Sequence, residues 1–359
     1  MSFLIPPWIN ALCNALSNQG FDAYIIGGAV RDGLLERPIH DYDICTTARP
    51  EDVLHIFPKS DKHGLLFGTI RVGIVHEKKT YMSDVTTLRK DGKYSNSRHP
   101  DNVVFTSHLS DDLKRRDFTV NALALCPKTR TIRDEHNGLY DLKNNILRTI
   151  RTPEERFHED SLRVFRACRF VSQLGFDLDP DTHTYIVNKA KQLQLPSNER
   201  IAQEITRLFN QRSCGQGMAL LIQSHLIFSF LPMLDKRKVE ALSFDSMKKT
   251  HRWAHLANCC DTPRDVFRSA RFTKAQESLG LRLIECQFDD SRASLHPHKL
   301  AISGDDIMAF GVTGTSIGKV QRLLYHAVSH GLIKNSTKEL RHYVEILIKE
   351  GKKRGVKSD

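Results

Sequence analysis

Between residues 20 and 150 the apolar positions come in short runs rich in β-branched residues: AYII at 23–26, GTIRVGIV at 68–75, KTYMSDVTTL at 79–88, NVVFTS at 102–107 and NILRTI at 145–150. Runs of that length, broken by turn residues, predict strands of an antiparallel or mixed sheet with helices between them. RDGLLE reads as a short helix after the first run, and the apolar stretch that follows Asp117 reads as a helix. Beyond residue 150 the period changes. In EERFHEDSLRVFRACRFVSQLGF (154–176), Leu162, Phe165, Ala167, Phe170 and Leu174 lie close to a helical stripe, and Gly175 is the predicted stop. Pro180 and Asp181 restart a helix, and NERIAQEITRLF (198–209) is amphipathic. Further helices are predicted at 215–230, 237–248, 317–331 and 338–350, with joints near 231–235 and 263. The pattern is that of an α+β protein: a sheet-bearing N-terminal part, then an all-helical remainder.

At 359 residues the chain is too long for one compact core, so two or more domains are expected. Hydrophobic residues make up 40% of it, and no apolar run approaches the roughly 20 residues of a spanning helix. MSFLIPPWINAL lacks the basic start and apolar core of a secretion signal. The eight cysteines are scattered without zinc-type spacing, which fits a reducing cytoplasm and argues against structural zinc. A net charge of +11 makes a polyanion, nucleic acid first, the expected partner; a merely basic protein is the other reading.

Three constellations carry chemistry. The first is GGAVRDGLLERPIHDYDI, from Gly27, with Asp41 and Asp43 spaced as D-x-D. On a strand, residues i and i+2 share a face, so the two carboxylates would stand side by side. Adjacent carboxylates suit Mg²⁺, a hard cation that takes oxygen ligands, and the glycine pair lets backbone approach a triphosphate. Each half alone is common in turns and solvated loops; their succession points to a metal and a nucleotide. The second constellation is Arg115, Arg116 and Asp117. A guanidinium fork suits phosphate or ribose, and a carboxylate can accept from a ribose hydroxyl; an ordinary charged helix start is the alternative. The third is EDSLRVFRACR, where Arg163, Arg166 and Arg169 recur every three residues just after Asp160. One Asp and one Arg on a helix turn could read a base edge, or the row could be a solvent-exposed face with i,i+3 ion pairs.

In this order the motifs GGAVRD…DYDI, VTTLRKDGKYSNSRHPD, LKRRDFTVNALAL, GLYDLKNNILRTI, EERFHEDSLRVFRACRF and NERIAQE resemble the bacterial (class II, Bacillus-type) CCA-adding tRNA nucleotidyltransferases and their poly(A) polymerase relatives. The resemblance implies a polymerase-β-like catalytic head at 1–150, a helical neck at 151–210 for base recognition, a helical body at 211–265 and a tRNA-binding tail at 266–359. It implies addition of C, C and A to the 3′ end of tRNA from CTP and ATP by two-metal phosphoryl transfer; an A-only enzyme and a poly(A) polymerase are the alternatives. Asp41 and Asp43 would hold Mg²⁺, with Asp84 as a third acidic partner where relatives often have Glu. Gly28 and Arg31 would meet the phosphates. Arg116 and Asp117 would lie near the incoming nucleotide. Asp160 and Arg163 would read the base, and Arg166 and Arg169 would complete the pocket. The segment 88–100 resembles the family's loop for terminal A addition, although Gly92, Ser95 and Asn96 also suit a plain mobile loop. Glu36 stands where the family usually has Gly, and Leu88 where Phe is common. No membrane partner is implied; a homodimer is the candidate assembly.

Overall fold

The computed structural model describes residues 4–62, 64–91, 103–295 and 299–353. Gly92, Ser95 and Asn96, singled out above, lie outside the described residues. The chain divides into two units, 1–230 and 231–359.

In the first unit the elements run α1 (Pro7–Ser17), β1 (Ala23–Ile26), α2 (Gly28–Leu34), β2 (Asp43–Thr46), α3 (Pro50–Ile56), β3 (Thr69–His76), β4 (Lys79–Thr87), β5 (Arg89–Asp91), β6 (Val103–Phe105), α4 (Leu109–Lys114), β7 (Leu123–Leu125), β8 (Ile132–Asp134), α5 (Gly138–Lys143) and β9 (Ile146–Leu147). They continue with α6 (Pro153–Glu159), α7 (Leu162–Leu174), β10 (Asp177–Leu178), α8 (Pro180–Lys189), α9 (Asn198–Phe209), α10 (Gly215–Gln223) and α11 (Leu226–Phe230). α1 buries Ile9, Leu12, Cys13 and Leu16, the i, i+3, i+4, i+7 stripe of a helix lying on a core. Six strands form one sheet in the order β3-β4-β2-β1-β7-β8. Only β2 and β4 pair in parallel, in a register that sets Asp43 opposite Asp84; the other pairs are antiparallel. Ile26, Cys45, Leu113, Ala122, Ala124 and Ile150 pack together behind the central strands.

Several sequence expectations change here. The stretch after Asp117 is not a helix: a single 3-10 turn at Thr119–Asn121 leads into β7, buried between β1 and β8. Central sheet position, with both faces covered, makes a continuous apolar run indistinguishable from a buried helix by pattern alone. NVVFTS pairs with β5 in a separate two-stranded ribbon, and NILRTI keeps only two strand residues, paired with β10. The expected helix over 215–230 breaks after Gln223, and His225 takes φ +61°. Likewise the helix from 154 is two helices. Thr152 caps α6, its hydroxyl accepting from the Glu155 N–H, with Pro153 at the first position. α6 then stops because Asp160 is extended (φ −149°, ψ 104°), and the Asp160 carboxylate accepts the Leu162 N–H at the start of α7. α7 ends as expected at Gly175, in the left-handed region at φ +72°.

α7 is covered on nearly every side, so the solvent-exposed reading of its arginine row is overturned: Arg163 is 8% and Arg169 7% exposed. Helices α9 and α10 pack against it. α10 comes close enough that a Cβ at Gly217 would run into the Cys168 carbonyl oxygen. Glu36, at the family's usual glycine position, has φ +55°. That conformation is why glycine suits the site.

The second unit is helical: α12 (Lys236–Glu240), α13 (Arg252–Ala257), α14 (Pro263–Ser269), α15 (Lys274–Glu285), α16 (Asp290–Ala293), α17 (Gly304–Met308), α18 (Thr315–Ser329) and α19 (Thr337–Lys353). The expected helix over 237–248 shortens to α12 and a 3-10 turn at Phe244–Ser246. α15 crosses α14 where Gly280 faces the Phe267 ring, and Leu300, Ile307, Leu324, Val328, Leu340 and Val344 form a further core. Among the described residues, no helix is long and apolar enough to cross a membrane.

Candidate active site

Strand β2 begins at Asp43, so Asp41 stands just before the strand rather than on it. The intervening Tyr42 is buried, its ring edge-on to Trp8 at 5.6 Å between centroids, and its carbonyl accepts the Ser83 hydroxyl. With Tyr42 anchored inward, Asp41 and Asp43 are both exposed. The β2–β4 register adds Asp84 opposite Asp43, and Arg71 Nε reaches Asp84 at 3.3 Å. The Asp43 carboxyl is raised by desolvation and by repulsion from Asp84 and Asp41, with the Arg116 guanidinium opposing. Because the side chain is open to solvent, the neighbouring carboxylates are the firmer cause. A cation among them would relieve that repulsion, so the donor set fits a hard divalent ion. Among the described residues no group of three His, Cys, Asp or Glu side chains converges on one point. An ion here would draw its remaining ligands from water or from a bound phosphate.

Arg116 links this carboxylate group to the glycine turn. One guanidinium nitrogen bonds the buried Asp112 carboxylate at 3.2 Å. A Cβ on Gly27 would lie 3.1 Å from another. Burial would raise the Asp112 carboxyl, and Arg115 and Arg116 together more than reverse it. Gly27 itself has φ +68° and ψ −129°, a backbone open in practice only to glycine. Gly28 is the first residue of α2 and faces no such crowding. Arg31 is buried: its fork grips Asp32 at 2.9 Å and its other nitrogen donates to Asn121 Oδ1 at 2.6 Å.

Asp117 lies 8% exposed at the centre of a second network. Oδ1 accepts from the Phe118 N–H at 2.9 Å and from Asn121 at 3.1 Å, and Oδ2 accepts from Arg166 Nε at 2.7 Å. Burial pushes its carboxyl up, but Arg166 and Asn121 outweigh it and hold it well below the usual carboxylate range. The chain of contacts continues to Glu204, buried on α9, which accepts from Arg169 Nε at 2.6 Å and from Arg207 at 3.1 Å. Burial and the neighbouring Arg166 lower the Arg169 guanidinium, with Glu204 opposing. Arg31, Arg166 and Arg169 all lean on the Phe170 ring, Arg169 closest at 3.9 Å.

Asp160 and Arg163 do not pair with each other. Arg200 of α9 grips the Asp160 carboxylate at 3.2 and 2.8 Å. Arg163 donates to Glu159 at 2.8 Å, to the Arg156 carbonyl at 3.1 Å and to the Arg115 carbonyl at 3.3 Å. The structure thus brings the 115–117 segment against both Arg163 and Arg166, and separates Arg31 from open solvent. Glu159, Phe170, Arg200 and Glu204 were not singled out from the sequence. Glu204 left a signal: it falls on the stripe of Ile201, Ala202, Ile205 and Leu208, where a carboxylate must have a buried cation.

A mixed sheet carrying D-x-D at the start of an inner strand, a glycine turn beside it and an arginine-bearing helix behind it defines a protein built on a poly(A) polymerase-type head. Residues 23–148 match the family described as "Poly A polymerase head domain", and residues 175–238 match "Probable RNA and SrmB- binding site of polymerase A". The chain belongs to the bacterial CCA-adding enzyme family. The CCA-adding enzyme of Lacticaseibacillus paracasei is 32% identical, over 89% of this chain and 91% of that one. That of Geobacillus stearothermophilus is 43% identical over 70% of this chain and 60% of its own length. The Anoxybacillus flavithermus relative is 41% identical over 69% and 62%. The chain therefore spans about three-fifths of the length of these last two relatives. The crystal structure of the Bacillus stearothermophilus CCA-adding enzyme in complex with CTP superposes with a TM-score of 0.67 and 30% identity, covering 98% of this chain and 100% of that one.

Proposed function

We propose that this chain adds C, C and A to the 3′ end of tRNA, using CTP and ATP and releasing pyrophosphate. The observation that carries the reading is the seating of the 115–117 segment against α7: Arg115 and Asp117 engage Arg163 and Arg166, while Arg116 faces Asp43 and the glycine turn. One region would then hold both ends of a nucleotide. The named relatives, CCA-adding enzymes, support it.

In this reading Asp41 and Asp43 hold Mg²⁺. The bound ions would supply Lewis acidity to the RNA 3′-hydroxyl and to the departing phosphates in a two-metal transfer. The chain's residues bind and orient. Gly27 and Gly28 let backbone meet the phosphates closely, and Arg116 adds positive charge there. Arg31 acts through Asn121 and Asp32, shaping the turn rather than exposing its charge. Asp117 holds Arg166, and Glu204 holds Arg169, so both guanidiniums are fixed before a nucleotide arrives. Asp160 would accept from an exocyclic amine and Arg163 donate to ring acceptors. Asp84, tied to Arg71, would serve as an auxiliary carboxylate. The head is assigned to 1–150, the neck to 151–210, and the body and tail, at 211–265 and 266–359, to tRNA. The cytoplasm is the proposed location, in keeping with eight free cysteines. A homodimer is the proposed assembly, tested by sedimentation; every site residue named here comes from one chain.

The test uses tRNA transcripts ending at the discriminator base, at C and at CC, incubated with Mg²⁺ and CTP, ATP or both. Three nucleotides added to the shortest transcript, then a stop, is the expected outcome. Growth by one A from the CC end alone would make the protein an A-adding enzyme, and long A tails a poly(A) polymerase.

A further inference from the structure

We infer that Arg200 is a positioning residue for base selection: its guanidinium fork holds the Asp160 carboxylate so that a single acceptor position faces an incoming base. The inference rests on the reading of Asp160 as the residue that meets the base.

An ionised carboxylate offers about four acceptor positions. Asp160 Oδ1 accepts the Leu162 N–H at 3.1 Å and Arg200 Nη1 at 3.2 Å. Its Oδ2 accepts Arg200 Nη2 at 2.8 Å. Three positions are taken, and the one left lies on Oδ2. The two-point grip also matters. The terminal torsion of a free aspartate is broad, whereas a fork bound to both oxygens fixes the carboxylate plane. Neither side chain is a rim group: Arg200 is 23% and Asp160 16% exposed.

Arg163 is prepared in the complementary sense. Its Nη1 donates to the Arg156 carbonyl and to Glu159, and its Nη2 to the Arg115 carbonyl. Of the five N–H donors of a guanidinium, the Nε–H and one on Nη2 remain. One open acceptor on Asp160 and open donors on Arg163 match cytosine and adenine, each of which carries an exocyclic amine next to a ring-nitrogen acceptor. Uracil and guanine put a carbonyl oxygen where that amine would be. A carboxylate locked in place meets that oxygen lone pair to lone pair, while one free to turn can avoid it. Arg200 therefore governs rejection of UTP and GTP more than acceptance of CTP. It reaches Asp160 from α9, a different helix from α7, which carries Arg163.

The experiment compares kcat/KM for CTP, ATP, UTP and GTP on a tRNA ending at the discriminator base, in the unaltered protein, Arg200→Ala, Arg200→Lys and Asp160→Ala. In Arg200→Ala the CTP:UTP ratio is expected to fall about 10-fold or more, with kcat for CTP changed far less and the melting temperature lowered by loss of the ion pair. Arg200→Lys, which keeps the charge and loses the fork, is expected to lie between. If the ratio holds in both Arg200 variants, whether or not total activity drops, the inference is overturned; if Arg200→Ala does not fold, the lysine variant decides. Asp160→Ala separates the two levels. Full discrimination without the Asp160 carboxylate would sink the base-reading assignment itself. Discrimination lost there but kept in the Arg200 variants would sink the role of Arg200 alone.

Discussion

Arg166 Nε donates to Asp117 Oδ2 at 2.7 Å, joining the segment that leads into β7 to the middle of α7. The carboxylate is buried and the guanidinium partly so, at 8% and 31% side-chain exposure. No local pattern places them together, since 49 positions separate them in the chain. The pair ties α7 to the segment that enters the sheet.

Replacing Asp117 with Asn should cost about 2–3 kcal/mol at pH 7, because it leaves a partly buried guanidinium with only the more distant Glu204 carboxylate, at 3.9 Å. The folded-state carboxyl is held below its unfolded value of about 3.9. Its contribution is thus complete above that value and lost as pH falls below it toward the folded value. Urea midpoints of the two proteins should differ most near neutrality and converge toward pH 2. A gap that stays constant with pH would show that the ion pair is not its source.

Glu204→Gln removes the anion that faces Arg169, which is 8% exposed at its side chain. We expect a loss of about 3 kcal/mol, the usual cost of orphaning one member of a buried pair. Equilibrium denaturation measures it, and a loss under about 1 kcal/mol would mean that the Phe170 ring and the Gln173 side-chain oxygen, which also accepts from Arg169, suffice for it.

The two glycines of the turn should behave differently. Gly27→Ala meets both a glycine-only backbone and Arg116 at 3.1 Å, for an expected cost of about 1–3 kcal/mol and a raised KM for nucleotide. Gly28→Ala finds its nearest atom, Arg31 Nη2, at an ordinary 3.6 Å. It should change stability little. Equal effects in thermal melts and nucleotide titrations would contradict this division.

At Glu36 the backbone sits at φ +55° with no ligand role assigned. Glu36→Gly should raise stability by roughly 0.5–1 kcal/mol, relief of the left-handed strain exceeding the added freedom of the unfolded chain. Activity should not move. A lower melting temperature would argue that the Glu36 side chain makes a stabilising contact.

Asp41→Ala and Asp43→Ala should each abolish nucleotide incorporation while leaving tRNA affinity, measured by filter binding, largely intact. Retained turnover in either variant would sink the proposed metal site.

The sequence by itself determined which polar and charged motifs the chain carries and the order in which they come. The glycine pair, D-x-D, the Arg-Arg-Asp segment and the arginine row are local patterns. The strands β3 and β4 and the helices α9, α18 and α19 declare themselves through periods of two and 3.6 residues. What the pattern misread was burial. The apolar run after Asp117 reads as a helix by pattern, and only its place between β1 and β8 makes it the strand β7. The arginine row of α7 fitted a solvated face as well as a base-reading one, since charge on a helix is ordinarily exposed. Their partners Asp117 and Glu204 lie 49 and 35 positions away from Arg166 and Arg169 respectively. Only the tertiary fold could decide that pairing. The same holds for Asp160, whose partner Arg200 comes from α9 rather than from its own helix turn. Periodicity records which face of an element is apolar; which distant charge makes a buried charge tolerable is a property of the packed chain.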